Sequence, residues 1–434
     1  MKLSVIIPAF NAAQWIKDAV DSVLVQDFRD FELIVVDDGS TDETLAIIDR
    51  IAASDGRVSV IHQRNAGPGV ARNAGLDHAS GEYVAFVDSD DKLASPNALS
   101  SMMQRAAETG CDVLLARARR IGLKGELGNE LDWCLRKGLL PARDVFSPEE
   151  VGVSLFFVAG PVPWGKLYRR EFVNGEKLRF PPLPRSEDFP FVQTAMACAG
   201  KIAVYDDIVI LHRVARVDSL ESTKDATPLI FAEAERIFAK MLSERGLWEK
   251  FALAAKARAM LRLAYNLTAV QSFDGIRKVF AFAYEERKNL CIDDVADSFR
   301  DYALAKRNVD GILAHGSAEV WMYARMVAAE KNLRAKVVEL RRYDRDYKAL
   351  AALKTAQDAS LVQSQREVSL LKQKVMSLEE KSLALERSEA YHVGMAVTWP
   401  ARRAWGGVKC LRENGLKYTI KHAIGKVFHR GGRQ

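Results

Sequence analysis

The sequence predicts an α/β protein. A mostly parallel sheet occupies the first 225 residues, and a helical region, a coiled coil and a basic amphipathic tail follow. Three observations carry this. Four apolar runs within the first ninety residues alternate with segments of helical period. After Pro228 glycines thin out and three- and four-residue spacing takes over. From Leu333 onward apolar residues recur every seven positions.

The elements follow in order. Leu3–Ile7 reads as a buried strand ended by Pro8, with Asn11 capping the next helix. That helix carries Trp15, Ile16, Ala19, Val20, Val23 and Leu24 on one apolar face. Phe31–Val36 is a second strand running into Asp37-Asp38-Gly39-Ser40. Ser40 and Glu43 have the spacing of a capping box for a helix through Leu45, Ile47, Ile48 and Ile51. Val58–Ile61 is a third strand. The turn Asn65-Ala66-Gly67-Pro68-Gly69 leads into a helix with Ala71, Arg72, Asn73 and Leu76. The fourth strand, Tyr83–Val87, ends abruptly in Asp88-Ser89-Asp90-Asp91.

Those carboxylates stand where open α/β sheets place their ligands, at a strand's C-terminal end. An Asp-x-Asp pair there suits a hard cation such as Mn2+ or Mg2+ shared with the phosphates of a nucleotide. Asp37 and Asp38 stand at a second strand end, which suits a base and ribose site beside the metal. Two other nucleotide signatures are excluded. Gly67-Pro68-Gly69 fails as G-x-G-x-x-G because position six is Arg72, and no G-x-x-x-x-G-K-[ST] occurs.

Composition narrows the class further. Five cysteines without C-x-x-C argue against a disulfide framework or zinc site and fit a reducing cytosol. The N-terminus lacks the pattern of a signal peptide. No apolar run approaches the roughly 20 residues that span a bilayer, and Val151–Val162 is too short. A cytoplasmic protein is expected. The net charge is +6, and the tail from Ser388 alone has nine Lys and Arg against two Glu. The body is therefore near neutral, and the tail points to an anionic surface.

Taken together, Ser4-Val5-Ile6-Ile7-Pro8-Ala9-Phe10-Asn11, Val36-Asp37-Asp38-Gly39-Ser40-Thr41-Asp42, Ala71-Arg72-Asn73-Ala74-Gly75 and Phe86-Val87-Asp88-Ser89-Asp90-Asp91 stand in one order at natural spacing. In this the chain resembles the family 2 glycosyltransferases, with the GT-A fold. The resemblance implies inverting transfer of a sugar from a nucleotide-sugar donor, usually UDP-linked, with Mn2+ or Mg2+. It implies that Pro8 and Phe10 flank the nucleobase and that Asp38 accepts a hydrogen bond from it. Asp88, followed by Ser89, lies near the ribose and metal, and Asp90 binds the metal. Arg72 either neutralises phosphate or packs at its helix N-terminus. Asp37 is structural, and Asp91 caps the next helix.

Beyond residue 95, Leu99–Ala107 reads as helix and Asp112–Ala116 as strand, while Gly122–Gly138 reads as an acceptor-side loop. Pro163-Trp164-Gly165-Lys166 and Arg185-Ser186-Glu187-Asp188 resemble the acceptor half of polysaccharide-building members of the family. The resemblance makes Asp188 the catalytic base beside Glu187. A carboxylic acid with an ordinary value of ~3.9 is a weak base, so burial or Glu187 must raise it. Trp164 either stacks on a sugar face or packs in the core, and Lys166 approaches phosphate or acceptor. The family often has an aromatic where this chain has His212, which leaves His212 as a further metal ligand or a packing residue. Arg213 and Arg216 are candidates to hold the diphosphate in a closing loop.

The expected domains are 1–225 (a nucleotide-sugar half, 1–95, and an acceptor half, 96–225), a helical region 226–330, a coiled coil 331–388 and a tail 389–434. The heptads place Leu333, Leu340, Tyr347, Leu361, Val368 and Val375 at one core position and Leu371, Leu378 and Leu385 at the other. They predict a homo-oligomer, or else an antiparallel fold-back. The tail mixes Trp399, Trp405, Leu411, Leu416 and Phe428 with basic residues, a pattern that suits peripheral contact with anionic membrane. No nucleic-acid-binding motif is present. The expected acceptor is a growing capsular or cell-envelope glycan, free or lipid-linked. The rival from another class is a non-catalytic assembly protein that binds nucleotide-sugars and scaffolds through the coiled coil. Retention of Asp88, Asp90 and Asp188 together speaks against it.

Overall fold

The computed structural model describes residues 2–214, 224–290, 300–322 and 361–386, with scattered positions between 324 and 342. The first half follows the predicted alternation: β1 (Leu3–Ala9), α1 (Ile16–Leu24), β2 (Phe31–Asp37), α2 (Thr44–Ala52), β3 (Val58–His62), α3 (Pro68–His78) and β4 (Tyr83–Phe86). Then come β5 (Lys92–Leu93), α4 (Ala98–Thr109), β6 (Val113–Ile121), β7 (Leu127–Glu130), β8 (Val145–Phe146), α5 (Pro148–Val151), α6 (Leu155–Val158), β9 (Lys166–Arg169), α7 (Arg170–Gly175), α8 (Asp188–Cys198) and β10 (Ile202–Arg213). The helices α9 (Ile230–Glu244), α10 (Trp248–Ala269), α11 (Phe273–Leu290), α12 (Arg300–Leu313) and α13 (Leu361–Glu386) complete the described elements.

The strands form one sheet in the order β3-β2-β1-β4-β9-β6-β10-β5, with β7 on β6 and β8 on β10. β3, β2, β1 and β4 are parallel neighbours, as are β6 and β10. β9 runs antiparallel between β4 and β6. It joins the nucleotide half of the sheet to the acceptor half.

β1, β2 and β4 are mostly apolar because both faces are covered. Leu3, Val5 and Ile7 of β1 pack with α1 and α4, while Ile6 packs on the other face with α3, α8 and α9. β2 and β4 alternate in the same way: Leu33, Val35, Tyr83 and Ala85 lie on one face, and Ile34, Val36, Val84 and Phe86 on the other. Tyr83, Phe86 and Tyr168 are fully buried. Burial of such side chains contributes roughly 1.5–3 kcal/mol each.

Local details differ from the sequence pattern. Pro8 does not end β1. Ile6 accepts from the Val87 N–H on the β4 side, and Pro8 faces that same side beyond the end of β4. Its missing N–H therefore costs no ladder bond. Ser40 does not cap α2: its hydroxyl accepts from the Asn11 N–H, and the Asp42 carboxylate accepts from the Thr44 N–H. Asn11 does not cap α1 either. It takes a left-handed backbone (φ 46°), and its side chain accepts from the Thr41 N–H. These bonds tie the β1–α1 loop to the β2–α2 loop. The stretch 122–138, expected as a loop, contains β7, which pairs antiparallel with β6.

Residues 1–266 with 286–307 make one compact unit, and 267–285 with 308–434 make another. α9 and most of α10 therefore belong with the sheet. Among the described residues no helix is long and apolar enough to cross a membrane. α13 is helical over the second part of the heptad pattern. Residues 343–360 and the tail 389–434 lie outside the described residues, as does Arg216.

Candidate active site

The acidic run after β4 forms a compact cluster. Ligand oxygens of Asp88, Asp90 and Asp91 all lie within 4.8 Å of one another. Asp88 and Asp90 are half-buried, and Asp91 is 1% exposed. Three carboxylates this close repel unless a cation or a proton joins them. Hard oxygen donors are what Mg2+ or Mn2+ prefers, so the donor set fits a divalent cation.

Arg72 connects this cluster to the other half of the sheet. It is buried on α3, with Nη2 2.8 Å from Asp88 Oδ1 and Nη1 2.6 Å from Glu187 Oε1. Burial works against its charge, but Asp88 and Glu187 outweigh it and raise its basicity. The approach is close. A Cβ on Gly69 would lie 2.8 Å from the Glu187 Cγ and 2.9 Å from the Pro181 carbonyl oxygen. Glycine is what lets the α3 N-terminus meet the turn before α8.

Asp188 is the first residue of α8. Ser186, two residues earlier, holds a strained left-handed backbone (φ 62°), a feature often found where a side chain must be aimed. Burial raises the Asp188 carboxyl to about 7, and the charge of Glu187 pushes the same way. Arg72 and Arg262 pull against that rise.

The residues expected at the nucleobase stand at the first two strand ends. Phe10 follows β1 and is 47% exposed, which is unusual for phenylalanine and leaves its face open. Pro8 beside it is buried. Asp38 is buried and accepts from the Gln63 side-chain amide and the Ala66 and Gly67 N–H groups at 2.6–2.9 Å. It thus shapes the loop that leads into α3. Asp37 accepts from the Ser40 N–H at 3.3 Å.

Residues 4–173 match the family model described as Glycosyl transferase family 2. The chain carries a family 2 glycosyltransferase domain. It is 31% identical over 243 residues to the poly(ribitol-phosphate) beta-N-acetylglucosaminyltransferase TarS of Staphylococcus aureus, covering 55% of this chain and 40% of that one. It is 29% identical over 218 residues to the glycosyltransferase GlyG of Streptococcus pneumoniae, covering 49% and 70%. It is 45% identical over 109 residues to a Campylobacter jejuni GalNAc(5)-diNAcBac-PP-undecaprenol beta-1,3-glucosyltransferase, covering 25% and 35%. The chain thus spans less than half the length of TarS. A crystal structure of TarS residues 1–349 with UDP-GlcNAc covers 72% of this chain and 92% of that one at 24% identity and a TM-score of 0.45. A likeness of that level fixes no detail of the site.

Within the family 2 domain and the strand that completes its sheet, several predicted residues take other places. Asp91 is not a helix cap. It accepts from the Arg213 N–H at 2.8 Å and lies 2.9 Å from His212 Nδ1. His212 pairs with Asp91 through Nδ1. Burial lowers its basicity, and Asp91 more than reverses that, so His212 is raised. Trp164 is 2% exposed, stacked on His212 at 5.1 Å and edge-on to Trp133, so it packs and offers no face to a sugar.

Lys166 is buried and donates to the Gly160 and Val162 carbonyls, so it holds a loop and approaches neither phosphate nor acceptor. Burial lowers it to about 8. Arg213 is also not placed for a diphosphate. Its Nε donates to the Asp90 carbonyl, and its guanidinium lies 4.3 Å over Trp15 and 3.5 Å from Asp18. It braces the acidic turn from behind. Ser89 is half-buried within that turn. Asp91 is the candidate site residue that the sequence pattern undervalued. Its signal was the third carboxylate of the run.

Proposed function

We propose that the chain transfers a sugar, with inversion, from a UDP-linked donor to a hydroxyl of a cell-envelope glycan. The observation that carries this reading is the Arg72 link between the Asp88–Asp90–Asp91 cluster and the turn bearing Asp188. It ties Asp88 of the acidic cluster, through Arg72, to Glu187, the residue next to the candidate base. The names of the bacterial relatives support the substrate class.

In this reading Asp88 and Asp90, with Asp91 behind them, would hold Mn2+ or Mg2+, which stabilises charge developing on the departing diphosphate. Phe10 would pack on the base, with Asp38 ordering the loop beside it. Asp188 takes the proton of the acceptor hydroxyl as its oxygen bonds to the anomeric carbon and the bond to the diphosphate oxygen breaks. A carboxyl raised to about 7 is matched to that task near neutral pH. Glu187 serves by anchoring Arg72 and by raising Asp188. The heptads are read as a self-association element, and the basic tail as a contact with anionic membrane on the cytoplasmic side.

Calorimetric binding of UDP-, GDP- and dTDP-sugars, with and without Mn2+, tests the reading. Mn2+-dependent binding of a UDP-sugar, weakened at least tenfold in Asp90→Ala, is expected. No binding of any donor under any metal would remove it.

A further inference from the structure

We propose that Arg262, from the helices that follow the sheet, is a positioning residue for the Asp188 base. This rests on the role given to Asp188 above. Arg262 lies on α10 with its side chain 12% exposed. Its guanidinium sits 3.9 Å over the Phe189 ring. Phe189 is the residue whose N–H donates to the Asp188 carboxylate, at 2.8 Å. On its other side Arg262 Nη1 lies 3.3 Å from Glu235 Oε1 on α9, yet neither buried atom makes an aligned hydrogen bond.

A buried cation is costly unless its partner is well placed, and buried polar atoms left unbonded call for an explanation. The neighbourhood of Asp188 supplies one. A cation within charge range, but out of contact, favours the carboxylate without tying up its oxygens. The base stays free to accept a proton, and the Phe189 ring fixes the spacing between the two. The charged and titratable groups that face Asp188 are Glu187 on its own turn, Arg72 from α3, Lys166 and Tyr168 from β9, and Arg262 from α10. Arg72 is engaged by Asp88 and Glu187, and Lys166 by two backbone carbonyls. Arg262 is the member brought in by the helical segment, which gives that segment a part in the chemistry.

The test is a carbon-13 NMR titration of the full chain labelled at aspartate carboxyl carbons, with the Asp188 signal assigned by its loss in Asp188→Asn. Arg262→Met should move the Asp188 midpoint up by about one unit, a tenfold change in proton affinity. Arg262→Lys should return most of it. Burial raises the Glu235 carboxyl on α9 to about 7, so it is charged only in part where Asp188 titrates, and Glu235→Gln should move the midpoint down by less than Arg262→Met moves it up. An unmoved midpoint in Arg262→Met overturns the proposal. If Arg262→Met does not fold, an unmoved midpoint in Arg262→Gln is sufficient to overturn it. The titration needs no sugar transfer, so failure of donor binding would strike the function proposed above and leave the coupling of Arg262 to Asp188 standing.

Discussion

Replacing Arg72 with methionine tests whether one buried cation holds the two halves of the site together. Arg72 contacts Asp88 at 2.8 Å and Glu187 at 2.6 Å. Glu187 is 5% exposed, so removing Arg72 leaves a carboxylate stranded away from water. Breaking a buried pair from one side costs about 3–5 kcal/mol. The Asp88 contact adds little, because that carboxylate is partly solvated. Methionine keeps most of the apolar stem, which limits the cavity contribution. The expected loss is therefore about 3 kcal/mol at pH 7.5, measured by urea unfolding followed by near-UV circular dichroism. Adding Glu187→Gln removes the stranded charge and should return about 1–2 kcal/mol as coupling in the double-mutant cycle. A loss below about 1 kcal/mol, with no coupling to Glu187, would refute the idea that Arg72 is a structural link.

Two further outcomes are expected. The Asp188 carboxyl is raised in the folded protein from an ordinary 3.8 to about 7, so the folded state binds the extra proton between those values. Stability therefore falls as pH rises through that window, and the penalty is complete above about 7. Asp188→Asn should be more stable than wild type at pH 8 by about 0.5–2 kcal/mol, with a smaller advantage at pH 5; a gain equal at both pH values would contradict this. Trp164→Ala should lower stability by about 3–5 kcal/mol, because the indole is packed between Trp133 and His212. An unchanged unfolding midpoint with only a raised acceptor KM would instead favour a sugar-stacking role.

The nucleotide half was legible because its strands are buried on both faces and its helices on one. Leu3–Ile7 and Tyr83–Phe86 are apolar runs whose length and boundaries are local properties. The acidic run was legible for the same reason, as an abrupt change at a strand end. What was missed depends on partners far away in the chain. Ser40 and Glu43 have capping-box spacing, but Asn11, 29 residues away, claims the Ser40 hydroxyl. Trp164 looks like a sugar platform until Trp133 and His212 cover it.

The same reasoning explains why the role of Arg72 could be named only as alternatives and its pairing with Glu187 not at all. They are 115 residues apart, and no spacing rule joins them. The antiparallel β9 brings them together by bridging β4 to β6, and its four residues have no period long enough to be recognised. Chemistry-bearing residue types could thus be found from local pattern. Whether each side chain faces a ligand, an ion pair or the core is decided by long-range pairing, and here that pairing ties Lys166 to two backbone carbonyls and Arg213 to the back of the acidic turn.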